Sequence, residues 1–306
     1  MCEEYLVARL NDSEYANWLK AGRCLYILKD VLHSFTNEQM QGFHQALLRM
    51  NPSLREQCQR SCQSGDIKLS RACSPCLQWR SEILNHHRQP NSNLNWDNCI
   101  PSAWRTRHWE LAKAYMPRGQ GHVNAVDQCD PSALLNLINF CDCFASVNSY
   151  KNSSCVRELI RCRNYLMHSA NQHVSDAWMI KFKLALQHFV RLFSEVRGMQ
   201  LAENMINRML AVDLSISFID AVDCIREELA TDSVIDDVTP ELITKWEADL
   251  IREMLWELRQ MAEDETMDSN QLKMLDNFLQ KNKDLTAMFS PELQAISMLG
   301  GGQKKI

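Results

Sequence analysis

The sequence predicts an all-α protein. Three observations carry that expectation. Convincing strand patterns are nearly absent, apolar residues recur at i, i+3, i+4 and i+7 along most of the chain, and only 9 Gly and 8 Pro punctuate 306 residues. This length allows one large domain or two modest ones, and a hydrophobic fraction of 45% is enough to bury a core.

Each element has its own justification. Residues 14–35 read as the first strong helix, with Tyr15, Trp18, Leu19, Leu25, Tyr26 and Leu32 at helical spacing. Thr36 with Gln39 three residues on resembles a capping box and opens a second helix, which carries Met40, Phe43, Leu47 and Leu48 and stops before Pro52. Residues 52–100 break the pattern and gather Cys58, Cys62, Cys73, Cys76 and Cys99 with His86 and His87, around a short helical stretch from Leu77 to Leu84. Helix resumes near Ala103, through Trp104, Trp109, Leu111 and Tyr115, and ends at Met116-Pro117-Arg118-Gly119. Asp130-Pro131 supplies an N-cap and a first-turn proline for a widely apolar, central helix. Two more helices follow, one from Ser154 to His168 and one capped by Ser175 with Trp178, Phe182, Leu186, Phe189 and Phe193; Arg197-Gly198 marks the end of the second. Beyond residue 200 acidic residues increase. The expected organisation is a helical domain at 1–200 with a cysteine-rich insertion at 52–100, a connection at 201–240, a C-terminal helical region at 241–299 and a disordered tail at 300–306.

Bulk properties narrow the function. A net charge of −5 is too mild for strong whole-molecule attraction to nucleic acid, so any RNA contact has to come from a local basic patch. Met1-Cys2-Glu3-Glu4 lacks the basic flank and apolar run of a secretory signal, and no stretch approaches the roughly 18 apolar residues of a membrane span. A soluble cytoplasmic or nuclear protein is expected, with reduced thiols. There, clustering among the 13 cysteines suggests metal before disulfide. Cys73-Ser-Pro-Cys76 is a CxxC turn, His87 lies eleven residues after Cys76, and Cys99 twelve after His87. Thiolate and imidazole together suit structural, tetrahedral zinc. Cys58 and Cys62 form an alternative pair, His86 competes with His87, and buried free thiols are the plain alternative to both. Arg105, Arg107, His108 and Lys113 stand near Trp104 and Trp109, a combination that can track a single strand. A solvated face with core tryptophans explains them equally well. No phosphate loop, dinucleotide fingerprint, nucleophile elbow or kinase signature is present.

The most informative segment runs from Val156 to His168. Val156, Leu159, Ile160, Leu166 and Met167 form one apolar stripe, and Arg163 projects into it. A guanidinium so placed needs a carboxylate, carbonyls or an anionic ligand. His168 follows five positions later. Arg163-Asn164-x-x-x-His168 resembles the R-x(4–6)-H signature of the HEPN superfamily. The order Trp109-Glu110-Leu111…Pro117, Asp130…Leu134-Leu135, Arg163…His168 is similar to the HEPN domain of DAZ-interacting ubiquitin ligases. Residues 1–290 also resemble the vertebrate family named for open reading frame 38 of chromosome X. Trp79, Asn98-Cys99, Trp104, Trp109-Glu110-x-Ala112-Lys113 and Met116-Pro117-Arg118-Gly119 carry that match.

The resemblance implies a HEPN-like helical bundle and favours His87 over His86 as a ligand; the residue pattern adds the cysteine-rich, zinc-binding insertion and the C-terminal helical extension. It implies metal-independent endoribonuclease chemistry in a homodimer. His168 would act on the 2′-hydroxyl or leaving oxygen, Arg163 would hold the phosphate and Asn164 would orient one of them. Expected partners are RNA, a second copy of the chain, and a protein docking on the C-terminal helices, with no membrane. The rival expectation is a non-enzymatic interaction scaffold, in which Arg163 is paired with a carboxylate or carbonyl and sealed.

Overall fold

The computed structural model describes residues 2–89, 94–146, 153–169, 171–214, 238–263 and 269–301. Twelve α-helices of five residues or more are found among them, joined by short 3-10 turns, with no strand beyond one isolated bridge between His87 and Cys141. No described helix is long and apolar enough to cross a membrane. The helices are α1 (Cys2–Leu10), α2 (Ser13–Met50), α3 (Ser64–Lys68), α4 (Ser74–Asn85), α5 (His108–Ala112), α6 (Pro131–Phe140), α7 (Ser153–Met167), α8 (Asp176–Leu192), α9 (Met199–Ala211), α10 (Pro240–Glu263), α11 (Ser269–Lys281) and α12 (Lys283–Gly301).

The expected break at Thr36 does not occur. α2 runs unbroken for 38 residues. Thr36 is buried and turns its hydroxyl back onto the helix, donating to the Leu32 carbonyl at 2.7 Å, so it acts as a mid-helix residue and not as a cap. Nor is the whole of 201–240 a connection. α9 buries Met199, Ala202, Ile206 and Met209 at helical spacing, while residues 215–237 lie outside those described. The expectation of a disordered tail falls mainly on residues outside the description; α12 reaches Gly301 through an interior Pro291.

The chain divides into two compact units that do not follow a boundary at residue 200. Residues 1–24, 164–183 and 204–306 form the first, and residues 25–163 with 184–203 form the second. In the first unit, α1 packs on α10 and α12, and α12 lies against both α10 and α11. Arg9 is the polar centre of this unit. Its guanidinium meets Glu247 at 2.6 and 2.8 Å and Asp284 at 2.8 and 3.1 Å, and it donates to Asn282 at 3.0 Å. The Tyr15 hydroxyl donates to the same Glu247. α2 and α10 approach so closely that a Cβ at Gly22 would overlap the Leu250 side chain, which would have to shift to admit it.

The second unit is built around the later part of α2 and around α6, whose first turn is capped by Asp130 Oδ1 on the Ala133 amide at 2.6 Å. The tryptophans at 79, 96, 104 and 109 are all core residues, so none of them offers an indole face for base stacking, and Lys113 is buried with them. His44 stacks on Trp79 with ring centroids 5.4 Å apart and its Nε2 lies 2.7 Å from the Trp104 carbonyl. Nearby, His108 Nε2 meets Asn37 Oδ1 at 2.9 Å.

Burial lowers the pKa of both imidazoles, and the charge of His44 lowers His108 further. The unfolded chain therefore takes up more protons than the folded one once the pH drops below about 6.5, the free histidine value. The stability that depends on the neutral rings is complete above that pH and is lost as the pH falls through it. Urea unfolding is expected to show lower stability at pH 5.5 than at pH 7.5, with a smaller loss in His44→Gln, which keeps a donor for the Trp104 carbonyl. An equal loss in both proteins would remove His44 from the explanation.

Candidate metal centre and the arginine–histidine segment

After Met50 the chain makes a 3-10 turn, Pro52–Arg55, started by Asn51, whose Oδ1 accepts the Ser53 amide at 3.2 Å. Leu54 is buried there, and its carbonyl accepts the Trp79 indole N–H at 3.2 Å, fixing this turn to α4. The loop then brings Cys58 and Cys62 round, with Ser61 in the left-handed region at φ 49°. α3 follows, with Asp66 and Gln63 in a capping box and Ile67 in the core. Cys73 is the N-cap of α4, Ser74 and Pro75 begin its first turn, and Cys76 is in that turn.

These steps bring four thiols together. The Sγ atoms of Cys58, Cys62, Cys73 and Cys76 all lie within 4.8 Å of one another, and those of Cys73 and Cys58 are 3.8 Å apart. Tetrahedral Zn–S bonds of about 2.3 Å put sulfurs about 3.8 Å apart, whereas a disulfide needs about 2.05 Å. Three backbone amides donate to the sulfurs. Gln59 N–H reaches Cys73 at 3.4 Å, Cys62 N–H reaches Cys58 at 3.3 Å, and Cys73 N–H reaches Cys62 at 3.2 Å. Such bonds favour thiolate over thiol. Burial pushes the Cys73 thiol up, but the amides of Gln59 and Cys76 and the neighbouring sulfurs bring it down to about 6. Burial and the adjacent thiols drive Cys76 the other way. Four sulfurs so crowded cannot all ionise without a cation among them; the group is a possible metal site.

Two of the four ligands expected from sequence, Cys73 and Cys76, belong to this group; His87 and Cys99 do not. The His87 ring stacks in parallel on Tyr115 and Phe140, with centroids 5.8 and 5.2 Å away, and its Nδ1 faces the Gln89 backbone. Cys99 is buried, and burial followed by the charge of Glu110 drives its thiol up. The competing His86 has its Nδ1 2.9 Å from Asp142. The pair Cys58 and Cys62 completes the cluster. Its signal in the sequence was proximity, since four cysteines fall between residues 58 and 76.

The arginine–histidine segment is divided between the two units. In the second unit, Arg163 is only 2% exposed, and its Nη2 lies 3.9 Å from Asp130 Oδ2. The other carboxylate oxygen of Asp130 caps α6. The inward direction read from the helical pattern is therefore what the structure has, and a carboxylate lies close to the guanidinium. In the first unit, Asn164 is exposed, and His168 sits in the turn after α7, exposed, with its Nδ1 accepting from Gln271 Nε2 at 2.9 Å. His168 lines a cleft of about 410 Å³ with Glu14, Tyr165, Asn171 and His173. His173 Nε2 in turn meets Asp12 at 3.0 Å.

Comparison with known proteins adds two findings. Residues 9–300 match a family model described as a domain of unknown function, DUF4559. A mouse protein described as an uncharacterized CXorf38 homolog is 35% identical over 308 residues, covering 96% of this chain and 92% of that protein. No solved structure matches.

Proposed function

The chain belongs to the DUF4559 family, and from that premise we propose that it is a non-enzymatic helical scaffold of HEPN type. Its cysteine-rich segment is held by one structural zinc ion on Cys58, Cys62, Cys73 and Cys76. The single observation that carries the scaffold reading is the burial of Arg163 beside Asp130. A guanidinium that is to grip a phosphate must be presented to it, and breaking a buried ion pair to do so leaves a carboxylate unpaired. The zinc role follows from the donor set. Four cysteines fill a tetrahedral shell and leave no open position for substrate or water, so the ion would fix the fold and take no part in a reaction.

The nuclease alternative keeps one supporting observation, the exposed imidazole of His168 in a cleft with Tyr165 and His173. Incubation with end-labelled RNA, without added divalent metal, separates the two. The scaffold reading expects no cleavage above the blank from wild type or from His168→Ala. Cleavage by wild type that disappears in His168→Ala would establish the nuclease instead.

A further inference from the structure

The second unit carries a cleft that neither the zinc cluster nor the arginine–histidine segment uses. It measures about 520 Å³ and is lined by Lys68 at the end of α3, Arg80 and Leu84 on α4, Trp96 and Asp97 of the 3-10 turn Trp96–Asn98, and Arg118. Three cations here face one carboxylate. Asp97 is engaged by the Lys68 ammonium and by the Ser64 hydroxyl at 3.1 Å, and the Lys68 contact holds its carboxyl below the usual range.

Arg80 stands apart from that arrangement. Among the described residues it makes no ion pair and no hydrogen bond, and its Nε is buried without an acceptor. Its guanidinium carbon is 6.0 Å from the centre of the Trp96 ring, within cation–π range. Arg80 as a whole is half-buried, and a planar guanidinium fork next to further positive charge matches the oxygens of a phosphate. Leu84, Leu94 and Trp96 supply an apolar flank, and the volume falls in the range of small-ligand clefts.

We propose that this cleft binds the phosphate of a nucleotide, free or within a single-stranded RNA, between Arg80 and Arg118, with the sugar or base against Leu84 and Leu94. This goes beyond the scaffold reading and does not depend on it. Trp96 is 7% exposed, so it offers no open stacking face, and recognition rests on phosphate with little preference for base. Arg80 follows Cys76 by one helical turn on α4. The alternative role for its charge is therefore to balance the thiolates of the metal cluster.

The test is fluorescence anisotropy with a fluorescein-labelled 12-nucleotide single-stranded RNA, competed by ATP, on the full chain as purified. Binding is expected to weaken at least tenfold in Arg80→Gln and in Arg118→Gln, and the slope of log K against log salt to fall by about one for each lost phosphate contact. Displacement by millimolar ATP assigns the site to free nucleotide, and resistance to ATP assigns it to RNA phosphates; either supports the proposal. Zinc content is measured for each variant. Arg118 is exposed, so Arg118→Gln decides the matter if Arg80→Gln fails to fold. The proposal is overturned if neither probe binds, if both variants bind as wild type does, or if Arg80→Gln folds but sheds zinc while Arg118→Gln leaves binding unchanged.

Discussion

If zinc sits on the four thiols as proposed, stripping it with a strong chelator is expected to unfold the cysteine-rich segment, and Cys58→Ser and Cys62→Ser to do the same, while His87→Ala and Cys99→Ser keep their zinc. The size of the effect follows from the segment's poverty in core. Between Pro52 and Asn85 the short elements bury Leu54, Ile67, Ala72, Pro75, Trp79 and Ile83 besides the cysteines, which is little to hold a loop, a five-residue helix and a twelve-residue helix in place. Apparent zinc-binding free energies in small tetrahedral sites are about 10–16 kcal/mol, much of it expressed as folding, against about 5–15 kcal/mol for the stability of a whole domain. Elemental analysis of purified wild type should give about one zinc per chain, and less than about half an equivalent for either serine variant. Near-ultraviolet dichroism should report the loss through Trp79, whose indole N–H is tied to Leu54. Zinc retained in Cys58→Ser but lost in Cys99→Ser would return the site to the sulfur of Cys99. Zinc absent from the wild type would leave the four thiols as a packed, metal-free cluster.

The contrast between those variants also shows how far the sequence could be read. The CxxC turn was legible because its two thiols are brought together by local geometry alone, at the mouth of a helix opened by Pro75. Cys58 and Cys62 were legible only as an alternative pair, because spacing along the chain does not reveal how the loop through Ser61 and α3 folds back onto the CxxC turn. His87 had the right chemistry for zinc and is occupied instead with Tyr115 and Phe140, a use of imidazole that no spacing announces. Arg163 was legible in direction, since a helix of fixed period leaves no choice about which face a side chain takes, but its counter-ion was not. Asp130 lies 33 positions earlier and was visible only as a helix cap. Thr36 with Gln39 misled for a related reason: the hydroxyl that can cap a helix can also bond back into one, and the continuing apolar stripe decides which. α9 was missed although Met199, Ala202, Ile206 and Met209 spell its buried face, because the acidic stretch after it drew the whole of 201–240 toward a connection. The residues that carried the family resemblance have a structural use. Trp79 pins the turn before the cluster, Gly119 takes φ 86°, and Asn98, Glu110 and Lys113 form one buried polar network.

That network sets the second large expectation: Lys113→Met destabilises the protein by about 3–5 kcal/mol, the range for removing one partner of a buried pair. Lys113 is 0% and Glu110 2% exposed, and they meet at 2.7 Å. The ammonium also donates to the Gly121 carbonyl at 3.1 Å, and the second oxygen of Glu110 accepts the Ile100 amide at 2.8 Å. Asn98 closes the arrangement, donating to the carbonyls of Lys113 and Pro117 at 3.1 and 2.7 Å and accepting the Gln120 amide at 2.9 Å. Methionine matches the length of the lysine stem, so Lys113→Met leaves the packing nearly intact and strands a buried carboxylate without its cation. Glu110→Gln keeps an oxygen for Ile100 but strands the ammonium instead, at a similar cost. The double variant removes both charges and should be more stable than the sum of the single losses, with a coupling of about 2 kcal/mol or more in a urea double-mutant cycle. Losses that simply add, or a Lys113→Met within about 1 kcal/mol of wild type, would mean that water reaches the pair and screens it. A large coupling would instead identify the pair as the tie that holds the Asn98–Ile100 strand of chain to α5 and to the turn at Gly119. The same tie would hold Asp97 and Arg118 at the edge of the basic cleft. A test of Lys113 is therefore also a test of how firmly that cleft is built.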